Sequence, residues 1–478
     1  MSLLAVSGMA AAADILITDV TVIDGTGAAP MSGRTVAIED GRIIRIGRAR
    51  DDEDADTVID GSGLYLLPGF IDSNVHLTVY GNARRRETVV RYGPRNEELA
   101  LESAQRHLAH GVTTVRDSYG DLQSLLAVRD RIEAGEATGA RMLVAGNIVG
   151  WGGPFSITFS LLPEDELTHF QQTWNDRITQ GVGEELMDMG PEGVREAINA
   201  YLDKGVDFIK YGGSGHFRRP VLIGFSPRVQ EVIVEETHER GKIAETHATS
   251  QESLRLAVEA GIDLIQHPEI LSADYPDDLI ELIVEEDVLC AMRPNMLTGR
   301  IWSEHLERRE AALAAQSEMP PPATGAQENR RAEARGDDLE LQRRNARRLI
   351  AAGCPVTIAT DNYQGDAPEL RGEPKPLEQE AGMGSLLAIE GLVELGMTPM
   401  EALMAATRNG ARAAGMADEI GAIEEGMIAD LVLLGSNPLD DIANVHDIEA
   451  VIAKGRVIDI DSLPEQRIFS VEAPALSR

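Results

Sequence analysis

The stretch LPGFIDSNVHLTVYG, residues 67–81, decides how the rest of the chain reads. An apolar run leads into Asp72, and Asn74 and His76 follow with Val75 between them. Alternate residues of a strand point to the same face, so Asn74 and His76 are expected to project together from one strand end. Two histidines at that spacing would make a metal clamp. Here asparagine takes the first place.

Seven more runs share this form: GVTTVRDS (111–118), ARMLVAGN (140–147), VDFIKYGG (206–213), KIAETHA (242–248), IDLIQHPE (262–269), DVLCAMRP (287–294) and CPVTIATDN (354–362). Helical patterns lie between most of them, such as NEELALESAQRHLAHG, PEGVREAINAYLDKG and SPRVQEVIVEETHERG, each ending near a glycine or an acidic turn, as helices often do. Strand and helix alternating through eight strands predict an α/β fold, a (β/α)8 TIM barrel over residues 68–410. The two ends read differently. DILITDVTVID and RTVAIEDGRIIRIG near the start, and ADLVLLGSN and IEAVIAKGRVIDI near the end, are short β-like pieces split by turn residues. Residues 1–67 and 411–478 are therefore expected to build one small β-sandwich from both termini. A charged insert at 299–350, broken by PPPATG, is expected to be a solvated helical hairpin; its functional alternative is a lid or oligomer contact over the barrel mouth.

Composition narrows the function classes. The formal charge is −35, a field that repels nucleic acid and anionic membranes. Aromatic residues are only 4% of the chain, so Leu, Val, Ile and Ala must carry the core. No run of 18 apolar residues occurs, and no membrane span is expected. The opening MSLLAVSGMAAAADILI lacks a basic segment and flows into a β-rich run, which favours the cytoplasm over secretion. Cys290 and Cys354 each sit in an apolar run and read as two buried thiols rather than a disulfide scaffold.

In a barrel the chemistry lies at the C-terminal strand ends. Those ends carry Asn74 and His76, Lys210, His247, His267 and Asp361. Singly, each has a plain structural explanation: a hydrogen-bonded histidine, a snorkelling lysine, a turn-capping aspartate. Together, at one end of separate strands, they point to a metal site. Neutral imidazole is a good ligand for zinc and its neighbours. A divalent ion acidifies bound water and polarises a carbonyl, and a carboxylate beside that water can carry its proton to the leaving group. Asp361 fits that role. Lys210 becomes a ligand only if carbamylation makes it an anionic oxygen donor. Weaker candidates for contact with substrate are Trp151 and Phe155 in GWGGPF, with Phe159 as a further apolar wall, and Tyr211 and His216 near Lys210. His107, His110 and His238 read as packing or helix-end residues.

The motifs LLPGFIDSNVHL, HGVTTVRDSYG, DFIKYGGSG, ETHA, IQHP and IATDN, with the run from TPMEALMAATRNGARAAG to LVLLGSNPLDDI, resemble the amidohydrolase superfamily, in its imidazolonepropionase-like and prolidase-like branch. The resemblance spans nearly the whole chain. It implies a barrel with a terminal β-sandwich and a divalent metal at the barrel mouth. It places Asn74 and His76 at the HxH positions, Lys210 at the carbamylated lysine, His247 and His267 at the histidines of strands five and six, and Asp361 at the aspartate of strand eight. The Asn-x-His form is similar to the group of phenylurea and molinate hydrolases, which cleave a urea or thiocarbamate at its carbonyl. An amide oxygen is a poorer zinc partner than imidazole, so one ion per chain is expected, zinc before Co, Mn or Fe. It would be held by the Lys210 carbamate with His247 and His267, or by His76, His247, His267 and Asp361 with Lys210 unmodified. The expected activity is hydrolysis of a urea, carbamate or thiocarbamate carbonyl bond in a small-molecule substrate, a phenylurea first. Alternatives are a prolidase-like dipeptidase, for which Arg116, Arg218, Arg219 and Arg293 offer a carboxylate clamp, and a barrel scaffold that has lost its activity. A homo-oligomer is expected.

Overall fold

A computed structural model describes residues 13–50, 54–79, 86–217, 222–318, 326–371 and 374–470. The opening segment 1–12, Arg218 and Arg219, and the proline-rich break at 320–325 lie outside the described residues.

Eight of the described strands belong to one mixed sheet drawn from both ends of the chain. Its path runs Arg456–Ile458, Ile448–Ala453, Leu431–Leu434, Tyr65–Pro68, Ala13–Val22, Met31–Glu39 and Arg42–Gly47, and Ala55–Asp60 joins Ala13–Val22 in parallel. The ends meet where Leu431–Leu434 lies antiparallel to Tyr65–Pro68. Ile15, Ile17, Val36, Ile38, Leu66, Leu431 and Leu433 form a separate apolar core there. Alternating β-branched and aliphatic residues on one face explain why these segments pair.

The middle of the chain supplies parallel strands in two further sheets. Phe70–His76, Val112–Asp117 and Arg141–Val144 pair in order in one. Ile209–Gly212, Ala244–His247, Leu264–Gln266, Leu289–Met292 and Val356–Ile358 pair in order in the other. Two links join the sheets. Val149 bridges to Tyr211 on one side. On the other, the chain leaving Val356–Ile358 pairs Asn362 and Tyr363 with Val75 and His76. All eight expected strands are present, each trimmed at its ends. They are buried almost throughout, polar residues included, as expected of parallel strands covered on both faces. The helices start on side-chain caps: Ser226 accepts from the Val229 amide before Pro227–Glu239, and Ser250 and Ser253 form a capping box before Gln251–Glu259.

Two expectations need correction. The first strand does not alternate regularly. Asp72 pairs with Val115 and Val75 with Asp117, so one extra residue is inserted between Asp72 and Val75. Such a bulge turns side chains out of register. Ser73 reaches Thr357 at 2.9 Å, while Asp72 binds Thr360 and Ser385, each at 2.7 Å. Cys290 and Cys354 are not separate thiols. They form a disulfide, because the pairing of Leu289–Met292 with Val356–Ile358 brings their Cα atoms to 6.4 Å.

The charged insert is a pair of helices, Gly299–Glu318 and Ala326–Ala351. Its base is tied to the body by Arg343–Glu394 (2.8 Å), Arg344–Asp274 (2.7 Å) and Arg300–Glu378 (2.6 Å). No described helix is long and apolar enough to cross a membrane.

Candidate active site

Lys210, His247, His267, His76 and Asn74 are buried, and Asp361 is partly exposed; His76 and His247 close their strands, His267 and Asp361 lie just beyond theirs, and Asn74 and Lys210 lie within theirs. They assemble as linked groups. His76 donates from Nδ1 to the Tyr119 carbonyl at 3.1 Å, and its Nε2 lies 3.1 Å from Asp361 Oδ1. Arg293 donates to Asp361 Oδ2 at 3.1 Å and to Glu269 at 2.8 Å. Burial alone would raise the Asp361 carboxyl, but the His76 hydrogen bond and the Arg293 charge outweigh it and hold the group well below its usual range. Across the site, His247 Nδ1 and His267 Nε2 are 3.3 Å apart. Burial, and then the neighbouring His267, His216 and Lys210, hold His247 well below the ordinary histidine range, and burial does the same for His267. Lys210 is depressed by burial against the pull of Glu245 and Asp361. His267 and Asp361 both adopt positive φ, 39° and 56°. Positive φ is uncommon outside glycine, although Asp and His tolerate it better than most, and such backbone gathers at functional sites.

Beneath lies a buried polar layer. Arg116 pairs with Glu245 at 2.8 Å, both without exposure, and lies 4.0 Å from the centre of the Phe208 ring. Gln266 bonds Glu245 and the Ser73 carbonyl, each at 3.0 Å. Arg116 is therefore committed to the interior and takes no part in a substrate clamp. Arg293 is likewise engaged by two carboxylates.

The aromatic candidates divide. The Trp151 ring stands edge-on to His247 at 4.9 Å, with Phe159 5.6 Å from Trp151. His216 stacks on Phe159 at 4.6 Å and lies 6.0 Å from His247. Phe155 is wholly buried in the same apolar cluster, behind this surface. Tyr211 follows Lys210 in the strand and so faces the other way. Its hydroxyl bonds Gln230 at 3.0 Å under the covering helix, away from the site. Ser118, Tyr119 and Glu269 were not singled out from sequence. All three stand inside or next to the quoted motifs, but only the folded chain shows that they contact Lys210, His76 and Arg293.

The residues fit a divalent ion. Two nitrogens bound tetrahedrally at 2.0–2.1 Å would stand about 3.3 Å apart, the spacing of the His247–His267 pair. Nε2 of His247 and Nδ1 of His267 are buried with no hydrogen-bond partner among the described residues. Among the described residues, however, no group of three or more His, Cys, Asp or Glu side chains closes into a metal cluster. His247 and His267 form one pair and His76 and Asp361 another, so a third protein ligand would come from Lys210 or from movement of one pair toward the other.

This site on this fold defines a class. Residues 65–458 match the amidohydrolase family, and the chain belongs to that family. It is a hydrolytic enzyme acting on carbon–nitrogen bonds, and the family generally binds a divalent metal ion. The chain is similar to the solved structure of phenylurea hydrolase B (TM-score 0.82, 32% identity, 96% of this chain and 100% of that one). It is similar to that of molinate hydrolase (TM-score 0.82, 30% identity, 97% and 98%). Among sequence relatives, an imidazolonepropionase of Anaeromyxobacter sp. (strain K) is 26% identical over 471 residues, 90% of this chain and 91% of the relative.

Proposed function

We propose that the enzyme hydrolyses the carbonyl C–N or C–S bond of a urea, carbamate or thiocarbamate, with a phenylurea as the preferred class and a molinate-type thiocarbamate next. The observation carrying this reading is the convergence of Lys210, His247, His267, His76 and Asp361 at adjoining strand ends, beside the Trp151–Phe159–His216 wall that suits an aryl group. The likeness to phenylurea and molinate hydrolases supports the substrate class. In this reading the two parallel sheets close as one (β/α)8 barrel over residues 68–410, and both termini fold into a β-sandwich.

One ion per chain, zinc by preference, would be held by His247, His267 and an N6-carboxylated Lys210. When bound there, it acidifies water and polarises the substrate carbonyl. Asp361 stays ionised because His76 and Arg293 hold it so, and it accepts the proton of the attacking water. It then passes that proton to the leaving nitrogen or sulfur. Arg293 limits the motion of Asp361, and Glu269 fixes Arg293 in turn.

The test measures metal per chain, aniline release from a phenylurea and proline release from an Xaa-Pro dipeptide. One ion and aniline release are expected. Proline release alone would favour a dipeptidase, and neither metal nor turnover would favour a scaffold. Two firmly bound ions would sink the single-ion proposal. Asn74→His should raise the metal content above one; an unchanged content would mean that Asn74 is not what keeps a second ion out.

A further inference from the structure

Ser118 stands at the centre of a buried hydrogen-bond chain from Lys210 to Asn74, and the reaction above gives Ser118 and Asn74 no role. Lys210 Nζ donates to Ser118 Oγ at 3.0 Å, and Ser118 Oγ donates to Asn74 Oδ1. Ser118 and Asn74 have no exposure and Lys210 has 2%. The direction of the chain follows from counting protons. A serine hydroxyl has one proton and two lone pairs. One lone pair accepts the lysine N–H, so the proton goes to the acceptor it faces, the asparagine oxygen. With the amide turned over, its NH2 and the lysine nitrogen would crowd one hydroxyl oxygen, and the hydroxyl proton would be buried without that acceptor. Carboxylation of Lys210 would leave one N–H and no basic lone pair on that nitrogen, which preserves the same direction.

The consequence falls on Asn74. Its oxygen is engaged by Ser118, and its Nδ2 is buried with no hydrogen-bond partner among the described residues. The first-strand bulge helps to set this, because the extra residue falls between Asp72 and Val75.

We propose that Ser118 is a positioning residue: it turns the Asn74 carbonyl into the protein and leaves the amide N–H2 as a donor to the substrate carbonyl oxygen, so that Asn74 serves the substrate and not the metal. This rests on the hydrolase reading above. The substrate oxygen gains negative charge as water adds, and a donor already oriented in a dry site stabilises that charge without reorganisation. An asparagine suits this because one rigid amide plane carries an acceptor for Ser118 and a donor for the substrate.

The experiment compares Asn74→Ala, Ser118→Ala and Ser118→Thr with the wild type, each first checked for native thermal unfolding. The metal-stripped proteins are titrated with zinc alone, and the zinc-loaded proteins are assayed with a phenylurea. Asn74→Ala should bind zinc as the wild type does and lose about 10²–10³-fold in kcat with little change in KM. Ser118→Ala removes an outer-shell partner of Lys210, so its zinc affinity should fall by no more than about 10–100-fold; loaded with saturating zinc, it should lose at least about tenfold in kcat, since its loss frees the amide to rotate. Ser118→Thr keeps the hydroxyl and should restore most of that loss. Zinc binding lost in Asn74→Ala beyond the about 10–100-fold that removal of an outer-shell partner costs would make Asn74 a ligand and overturn the proposal. Full kcat in either alanine variant would overturn it too. If Ser118→Ala does not fold, Asn74→Ala and Ser118→Thr decide. A wrong substrate class would appear separately, as absence of wild-type turnover; the zinc titration of Asn74→Ala would still decide whether Asn74 is a ligand.

Discussion

The two halves of the site are built on opposite terms. Around the first strand, polar groups hold one another. His76 joins Tyr119 to Asp361, Arg293 joins Asp361 to Glu269, and Ser118 joins Lys210 to Asn74. Around the fifth and sixth strands, His247 and His267 face each other, and their outer nitrogens are buried without a partner among the described residues. Trp151 and His216 surround them with rings rather than hydrogen-bonding groups. The first half keeps its geometry through its own hydrogen bonds. The second presents neutral imidazoles held well below their ordinary pKa, the protonation state that metal ligation requires.

That contrast can be broken by mutation. His247→Ala should abolish metal binding and activity, a loss beyond the roughly 10²–10⁴-fold that removal of an acid–base group gives. Metal analysis beside turnover checks it, and survival of both would remove His247 from the site. The layer beneath should answer in stability. Arg116→Met leaves Glu245 charged and unexposed without its cation, which should cost about 3–5 kcal/mol in urea unfolding. Arg116→Met with Glu245→Gln should recover part of that loss; no recovery would mean that the ion pair is not the cause.

The most gradual effect is one of pH, on the side already closed by hydrogen bonds. His107 is wholly buried, donates to the Ser103 carbonyl, and lies 3.2 Å from Asn362, next to Asp361. Burial pushes its pKa down from 6.5 to about 3. Between those values the unfolded chain binds a proton that the folded chain refuses. Stability is therefore fully present above about pH 6.5 and falls as the pH drops toward 3, by up to about 1.4 kcal/mol per pH unit. His107→Gln should flatten this part of the urea-midpoint profile. An unchanged slope would show that other groups govern it.

Much of this organisation was legible in the chain. Each of the eight strand runs is a short apolar segment closed by turn residues, a local pattern that survives folding. The helices between them carry their own caps. Lys210, His247, His267 and Asp361 could be singled out because polar residues stand out against apolar strands. Tyr211 misled for the same local reason: it is adjacent to Lys210 in sequence, yet neighbouring strand residues face opposite ways. Arg116 misled because its sequence gives no sign of the wholly buried Glu245 that neutralises it.

The sequence by itself determined the alternation of strand and helix, the family and the residue types at the strand ends, because periodicity and side-chain chemistry are written locally. Only the tertiary structure decided how those residues are engaged. The first-strand bulge, the disulfide between Cys290 and Cys354, the hold of Arg293 on Asp361 and the Ser118 bridge between Lys210 and Asn74 all depend on contacts between distant segments. Hydrogen-bond direction and burial exist only once those segments are packed, and these fix whether Asn74 offers its oxygen or its N–H2.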